Sequence, residues 1–153
     1  MRSTSDRELL LTREFQAPRE LVWDAWTNPK HLVHWWGPPG TTYTIHEMNV
    51  KAGGIWRFIM HVPGGHDFPN RILYKEVIKP ELLSYEHGSD LDNDPRRFFV
   101  TTTFEAKGKA TEVTTKMVFA TAEQLKEVIE KYGALEVQRL SMLALDEYLK
   151  TMQ

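Results

Sequence analysis

The chain has 153 residues, 41% of them hydrophobic and 26% charged, with a formal net charge of −2 and no cysteine. That length suits one domain whose core needs no disulfide or metal staple. The small net charge provides no broad field for nucleic acid or an anionic membrane, and the lack of thiols excludes disulfides, cysteine nucleophiles and thiolate metal sites.

Residues 1–7 read as a flexible N-terminus. They lead into only Leu9-Leu10-Leu11, too short for a signal-peptide core or a membrane span, so the cytoplasm is the expected location. Glu8 to Phe15 predicts a strand with Leu9, Leu11, Arg13 and Phe15 on one face. Pro18 fits the first position of a helix that buries Leu21, Val22, Ala25 and Trp26. Asn28-Pro29 closes it and opens a second short helix, with Asn28 as N-cap, and Gly37-Pro38-Pro39-Gly40 stops that one.

From Thr41 to Phe119 the apolar period becomes two. Strands are expected at Thr42–Asn49, Ile55–Val62, Phe68–Ile78, Leu82–His87, Arg97–Ala106 and Glu112–Phe119, separated by short Gly-, Pro- and Asn-bearing turns. Short connections make neighbours antiparallel. Thr121-Ala122-Glu123-Gln124 carries a capping-box pattern and opens a helix to about Lys150, with a stripe of Leu125, Val128, Ile129, Tyr132, Val137, Leu140, Ala144 and Leu149. Gly133 interrupts that stripe at a cost of about 1 kcal/mol relative to alanine, which predicts a kink or a close approach there. The order (strand, two short helices, six strands, one long helix) predicts an α+β fold. A curled antiparallel sheet wraps around the long C-terminal helix in a single domain over residues 8–150.

The segments Phe15-Gln16-Ala17-Pro18-Arg19-Glu20-Leu21-Val22-Trp23, His34-Trp35-Trp36-Gly37-Pro38, Gly53-Gly54-Ile55-Trp56-Arg57-Phe58, Pro69-Asn70-Arg71-Ile72 and Tyr74-Lys75-Glu76-Val77 resemble a bacterial branch of the START-like, helix-grip superfamily. That branch is similar to the activator of the ninety-kilodalton heat-shock chaperone ATPase. Polyketide cyclases and lipid-transfer domains share the superfamily's fold. The resemblance runs in order from Glu8 to Leu149 and implies a deep cavity between sheet and helix. One fold hosts many functions, so it implies less about activity.

Strand alternation supplies the expected lining: Trp56, Phe58 and Met60; Leu83, Tyr85 and His87; Phe98, Val100, Thr102 and Phe104; Val113, Thr115 and Met117. The same alternation equally fits the core of a filled sheet. Arg71, if inward, needs an acidic partner, either a ligand carboxylate or a protein carboxylate such as Glu47 or Glu76. Tyr85 and His87 could act as hydrogen-bond anchors or as an acid/base pair, or be satisfied core residues. Trp35-Trp36-Gly37-Pro38 reads as packing and loop, with the option of a mouth over the cavity.

Other signals do not make sites. His31 and His34 lack a third metal ligand at a diagnostic spacing, as does His61 with His66-Asp67. Asp90-Leu91-Asp92-Asn93-Asp94 starts like a calcium loop, but Pro95 replaces the required glycine. Gly53-Gly54 and Gly64-Gly65 lack the lysine and helix of a phosphate loop.

The leading expectation is binding of a small hydrophobic or aromatic metabolite, a carboxylate if Arg71 points inward, through Trp56, Phe58, Met60, Arg71, Tyr85, His87, Phe98 and Met117. A cyclase- or hydratase-type enzyme using the same cavity is the second, and a chaperone-associated interaction module the third. No cofactor or metal, nucleic acid or membrane is called for, and a homodimer is open.

Overall fold

The computed structural model describes residues 5–37, 40–91, 94–131 and 133–152; Tyr132, Pro38, Pro39, Asp92 and Asn93, named above, lie outside the described residues. The elements are β1 (Glu8–Phe15), α1 (Arg19–Thr27), α2 (Pro29–Leu32), β2 (Thr42–Met48), β3 (Ile55–Val62), β4 (His66–Ile78), β5 (Leu82–Ser89), β6 (Phe98–Lys107), β7 (Ala110–Val118), α3 (Ala122–Glu130) and α4 (Ala134–Thr151). Ahead of β1, Ser5–Arg7 form a 3-10 turn. The Arg7 guanidinium donates to the Phe119 carbonyl at 2.6 Å, which joins this turn to the residue after β7.

The seven strands form one sheet in the order β1-β7-β6-β5-β4-β3-β2. Every neighbouring pair is antiparallel. Chain order alone explains the meander from β2 to β7. The docking of β1 on β7 needs a long-range pairing, Glu8 opposite Val118 through Phe15 opposite Thr111.

Helix ends follow their capping chemistry. Asn28 accepts from the Lys30 N–H at 3.0 Å and Pro29 takes the first turn of α2. Thr121 accepts from the Gln124 N–H at 3.0 Å, which is half of the expected capping box. The Gln124 amide turns away and donates to the Arg96 carbonyl at 2.6 Å.

The expected single C-terminal helix is two helices. Gly133, at φ 63° and ψ 38°, is the N-cap of α4, and its carbonyl accepts from the Val137 N–H at 2.9 Å. Among the described residues nothing lies within 4 Å of where a Cβ would sit on Gly133, so the glycine serves its left-handed backbone and not a close approach. The inward side of α4 keeps the expected Val137, Ala144 and Leu149 and adds Ser141, Met142 and Leu145.

The core is aromatic and lies mainly under α1. Trp23 and Trp26 meet Phe104 edge-on at 5.4 and 5.5 Å, and Trp26 meets Trp35 at 4.5 Å. The Trp35 indole N–H donates to the Ala25 carbonyl at 3.0 Å, so that buried polar tip is satisfied. Two short helices therefore cover one part of the concave face, a role the sequence reading gave to the C-terminal helix alone. On α2, His31 joins the Tyr148 hydroxyl at 2.7 Å and Asp24 at 3.1 Å, while His34 stacks on the Tyr148 ring. These contacts tie α2 to α4. No described helix is long and apolar enough to cross a membrane.

Candidate functional site

Under the other part of the concave face lies a cavity of about 260 Å³. Its floor is the sheet: Tyr85 and His87 from β5, Phe98, Val100 and Thr102 from β6, Thr115 and Met117 from β7. These positions alternate along their strands, which puts them on one face. Its roof is helical, with Val128 from α3 and Ala134, Val137, Gln138, Ser141 and Met142 from α4. The break at Gly133 falls between those two groups, so the roof bends over the space instead of filling it. Trp26, Trp35, Trp36 and Gly37 close one side. The tryptophan loop is pinned there by the Tyr43 hydroxyl on the Trp36 carbonyl and by the Ser141 hydroxyl on the Gly37 carbonyl at 2.8 Å.

Among the described residues the cavity wall holds no Asp, Glu, Lys or Arg. Its two titratable groups are both neutral at pH 7. Burial pushes the His87 imidazole down to about 4 and pushes the Tyr85 phenol above its ordinary value, with the neighbouring Tyr74 adding to the second shift. His87 sits among aromatic rings, 4.9 Å from Phe98, 6.3 Å from Phe58 and 6.5 Å from Trp36.

Asn70 holds that imidazole in place. Its Oδ1 lies 3.0 Å from His87 Nε2, and its Nδ2 donates to the Phe68 carbonyl at 2.7 Å. A carbonyl can only accept, so the second contact fixes the amide's orientation and leaves Oδ1 facing the ring. The ring must then donate from Nε2, and neutral His87 carries its lone pair on Nδ1. Thr102, on the floor, is 1% exposed, and its hydroxyl has no hydrogen-bond partner among the described residues.

Four of the eight expected binding residues, Tyr85, His87, Phe98 and Met117, line the cavity together. Trp56, Phe58 and Met60 share the concave face but stand outside it. Trp56 and Phe58 are each 1% exposed and stack at 3.9 Å, inside the packed core. Met60 packs at the edge of that core near Gly37.

Arg71 corrects the expectation of a shared polar pocket with Tyr85 and His87. Its partner across β3 is Arg57, while Trp56 faces Ile72 and Phe58 faces Asn70. The inward residues of β4 are thus Asn70, Ile72 and Tyr74, and Arg71 stands on the convex face. There it bonds Asp90 at 2.9 Å, and Arg57 bonds the same carboxylate at 2.8 Å. Hydrogen bonds from Arg57 and then Arg71 hold Asp90 below the usual carboxylate range. The acidic partner shown among the described residues is Asp90, where the expectation offered Glu47 or Glu76.

Sequence reasoning missed Asn70. Strict alternation backward from Tyr74 and Ile72 reaches it, but Ile72-Leu73 are both apolar and either could have been taken as inward. No group of three or more His, Cys, Asp or Glu among the described residues could hold a metal ion.

The family described as "Activator of Hsp90 ATPase homolog 1-like protein" matches residues 16–150. No curated protein matches the chain. Solved structures do. A crystal structure of a Mycobacterium smegmatis protein is similar at a TM-score of 0.86 with 24% identity, covering 100% of this chain and 97% of that one. A solution structure from Arthrobacter aurescens gives 0.86 and 22%, covering 99% and 90%. A Nitrosomonas europaea protein gives 0.85 and 23%, with both chains covered completely at 100%. At such identities the likeness speaks for the fold.

Proposed function

The chain belongs to the Activator of Hsp90 ATPase homolog 1-like family, in the START-like superfamily, and from that premise we propose that it binds a small hydrophobic or aromatic molecule in its cavity. The observation that carries the reading is the space of about 260 Å³ walled by apolar side chains of the sheet and of α3–α4. Apolar walls with a few placed polar groups are the usual composition of a small-molecule site. An apolar cavity of roughly 150 Å³ holds benzene, so the space here suits a ligand of about two fused rings.

A cyclase- or hydratase-type reaction in the same cavity has less support. A general acid or base works best with a pKa near the working pH. Burial moves His87 and Tyr85 away from neutrality in opposite directions, so neither is poised to exchange protons at pH 7. A chaperone partner, which the family's description suggests, would call for a broad exposed apolar or charged patch. Phe68 and Ile78, two of the exposed large hydrophobics, sit at opposite ends of β4.

The test fills the cavity. Naphthalene should bind the native protein saturably in a calorimetric titration, and Val137→Trp, which puts an indole into the space, should remove that binding while the protein stays folded. Undiminished naphthalene binding by folded Val137→Trp would place the ligand elsewhere and defeat the reading.

A further inference from the structure

We infer that the cavity selects an uncharged aromatic compound bearing a hydroxyl or another hydrogen-bond donor, with the lone pair on His87 Nδ1 accepting that donor. The inference rests on the cavity reading above and specifies its ligand class.

Two observations support it. First, no fully charged side chain among the described residues lines the cavity, and Arg71, the one cation expected there, is engaged by Asp90 on the opposite face. An anionic ligand would lose its hydration without gaining a counter-ion, which is strongly unfavourable in an apolar site. Second, the Asn70 bridge between the Phe68 carbonyl and His87 Nε2 fixes the imidazole as an acceptor at its other nitrogen. Nδ1 has no partner among the described residues, and His87 lies on the cavity wall. A ligand N–H or O–H satisfies it, whereas an ether or ketone does not. The rings of Phe98 and Trp36, which line the cavity beside the imidazole, suit a flat ligand.

The test compares naphthalene, 2-naphthol and 2-naphthoate at pH 7.4 by calorimetry on the native protein and on His87→Phe. A phenol keeps its proton at that pH and the carboxylic acid loses it. 2-Naphthol should bind the native protein about three- to tenfold more tightly than naphthalene, the worth of one neutral hydrogen bond. 2-Naphthoate should bind more weakly than either. In His87→Phe the hydroxyl preference, read as the ratio of the 2-naphthol and naphthalene affinities within that variant, should vanish. Nitrogen-15 spectra of histidine-labelled native protein give a readout independent of any variant. His87 Nδ1 should show the signal of an unprotonated nitrogen that moves on adding 2-naphthol and not on adding naphthalene.

Equal or tighter binding of 2-naphthoate, a preference for 2-naphthol that survives His87→Phe, or a protonated Nδ1 would each overturn the inference. If naphthalene binds without any preference for the hydroxyl, only this inference fails. If none of the three binds, the cavity reading fails and this inference with it.

Discussion

The two ends of the concave face are built from the same sequence pattern and end up as opposites. Under α1 and α2 the space left among Trp26, Leu32, Trp36, Trp56, Ile72, Tyr74, Leu83 and Tyr85 is about 10 Å³, whereas under α3 and α4 it is about 260 Å³. Strands on both sides alternate inward apolar with outward polar residues, so the sheet does not decide which end is hollow. The helices do. α1 drives Trp23 and Trp26 into the sheet, while the roof at the other end breaks at Gly133 and presents Ala134, Val137 and Ser141. Filled and hollow are thus properties of what covers a sheet.

The largest effect that could break this comparison lies at the filled end. Trp56→Ala should cost roughly 3–5 kcal/mol in urea denaturation, because the lost indole leaves a void in a packed core. Binding of 2-naphthol by the folded variant should stay within about threefold of the native value. A small stability loss with collapsed binding would mean that Trp56 belongs to the ligand site after all.

A somewhat smaller effect separates the ends by pH. His87 titrates near 4 when folded and near 6.5 when unfolded, so the unfolded chain takes up the proton first as pH falls. Its contribution is present in full above pH 6.5 and is lost progressively between 6.5 and 4. The loss amounts to about 3 kcal/mol. His87→Phe should remove that part of the slope in denaturation curves taken across this window. An unchanged slope would show that the imidazole is not buried in its neutral form.

The smallest of these effects is at the hinge of the roof. Gly133→Ala should destabilise by about 1–2 kcal/mol, since φ 63° is a left-handed conformation that a Cβ disfavours even with open space around it. Thermal unfolding measures it, and a stabilised Gly133→Ala would indicate one continuous helix there in solution.

Much of the fold was legible because turn chemistry and alternation act locally. Ile55–Val62 is a strand with the expected bounds, and the other five expected strands of the meander differ only at their ends. Other features depend on contacts distant in sequence. Nothing in Leu9-Leu10-Leu11 specifies β7 as its partner. Gly133 announced an irregularity, yet the choice between a kink, a close approach and a full break is made by the left-handed backbone at that residue. At the site, Tyr85, His87, Phe98 and Met117 could be read from their alternation, whereas Trp56 and Phe58 satisfied the same rule and proved to be core. Arg71 was misplaced because an arginine beside apolar residues looks inward until its register with Arg57 is known. Asn70 was invisible because its importance comes from a hydrogen bond to a residue on the next strand.

The most direct test of a hollow, ligand-holding end uses the methionines as reporters. Met117 and Met142 line the cavity, whereas Met48, Met60 and Met152 pack against the core outside its wall. Carbon-13 spectra of methyl-labelled methionine should be recorded while 2-naphthol is added. Saturable shifts of Met117 and Met142, with Met48, Met60 and Met152 unmoved, are the expected result. Saturable shifts at Met48 or Met60 with Met117 still, or no shift at any of the five, would contradict it.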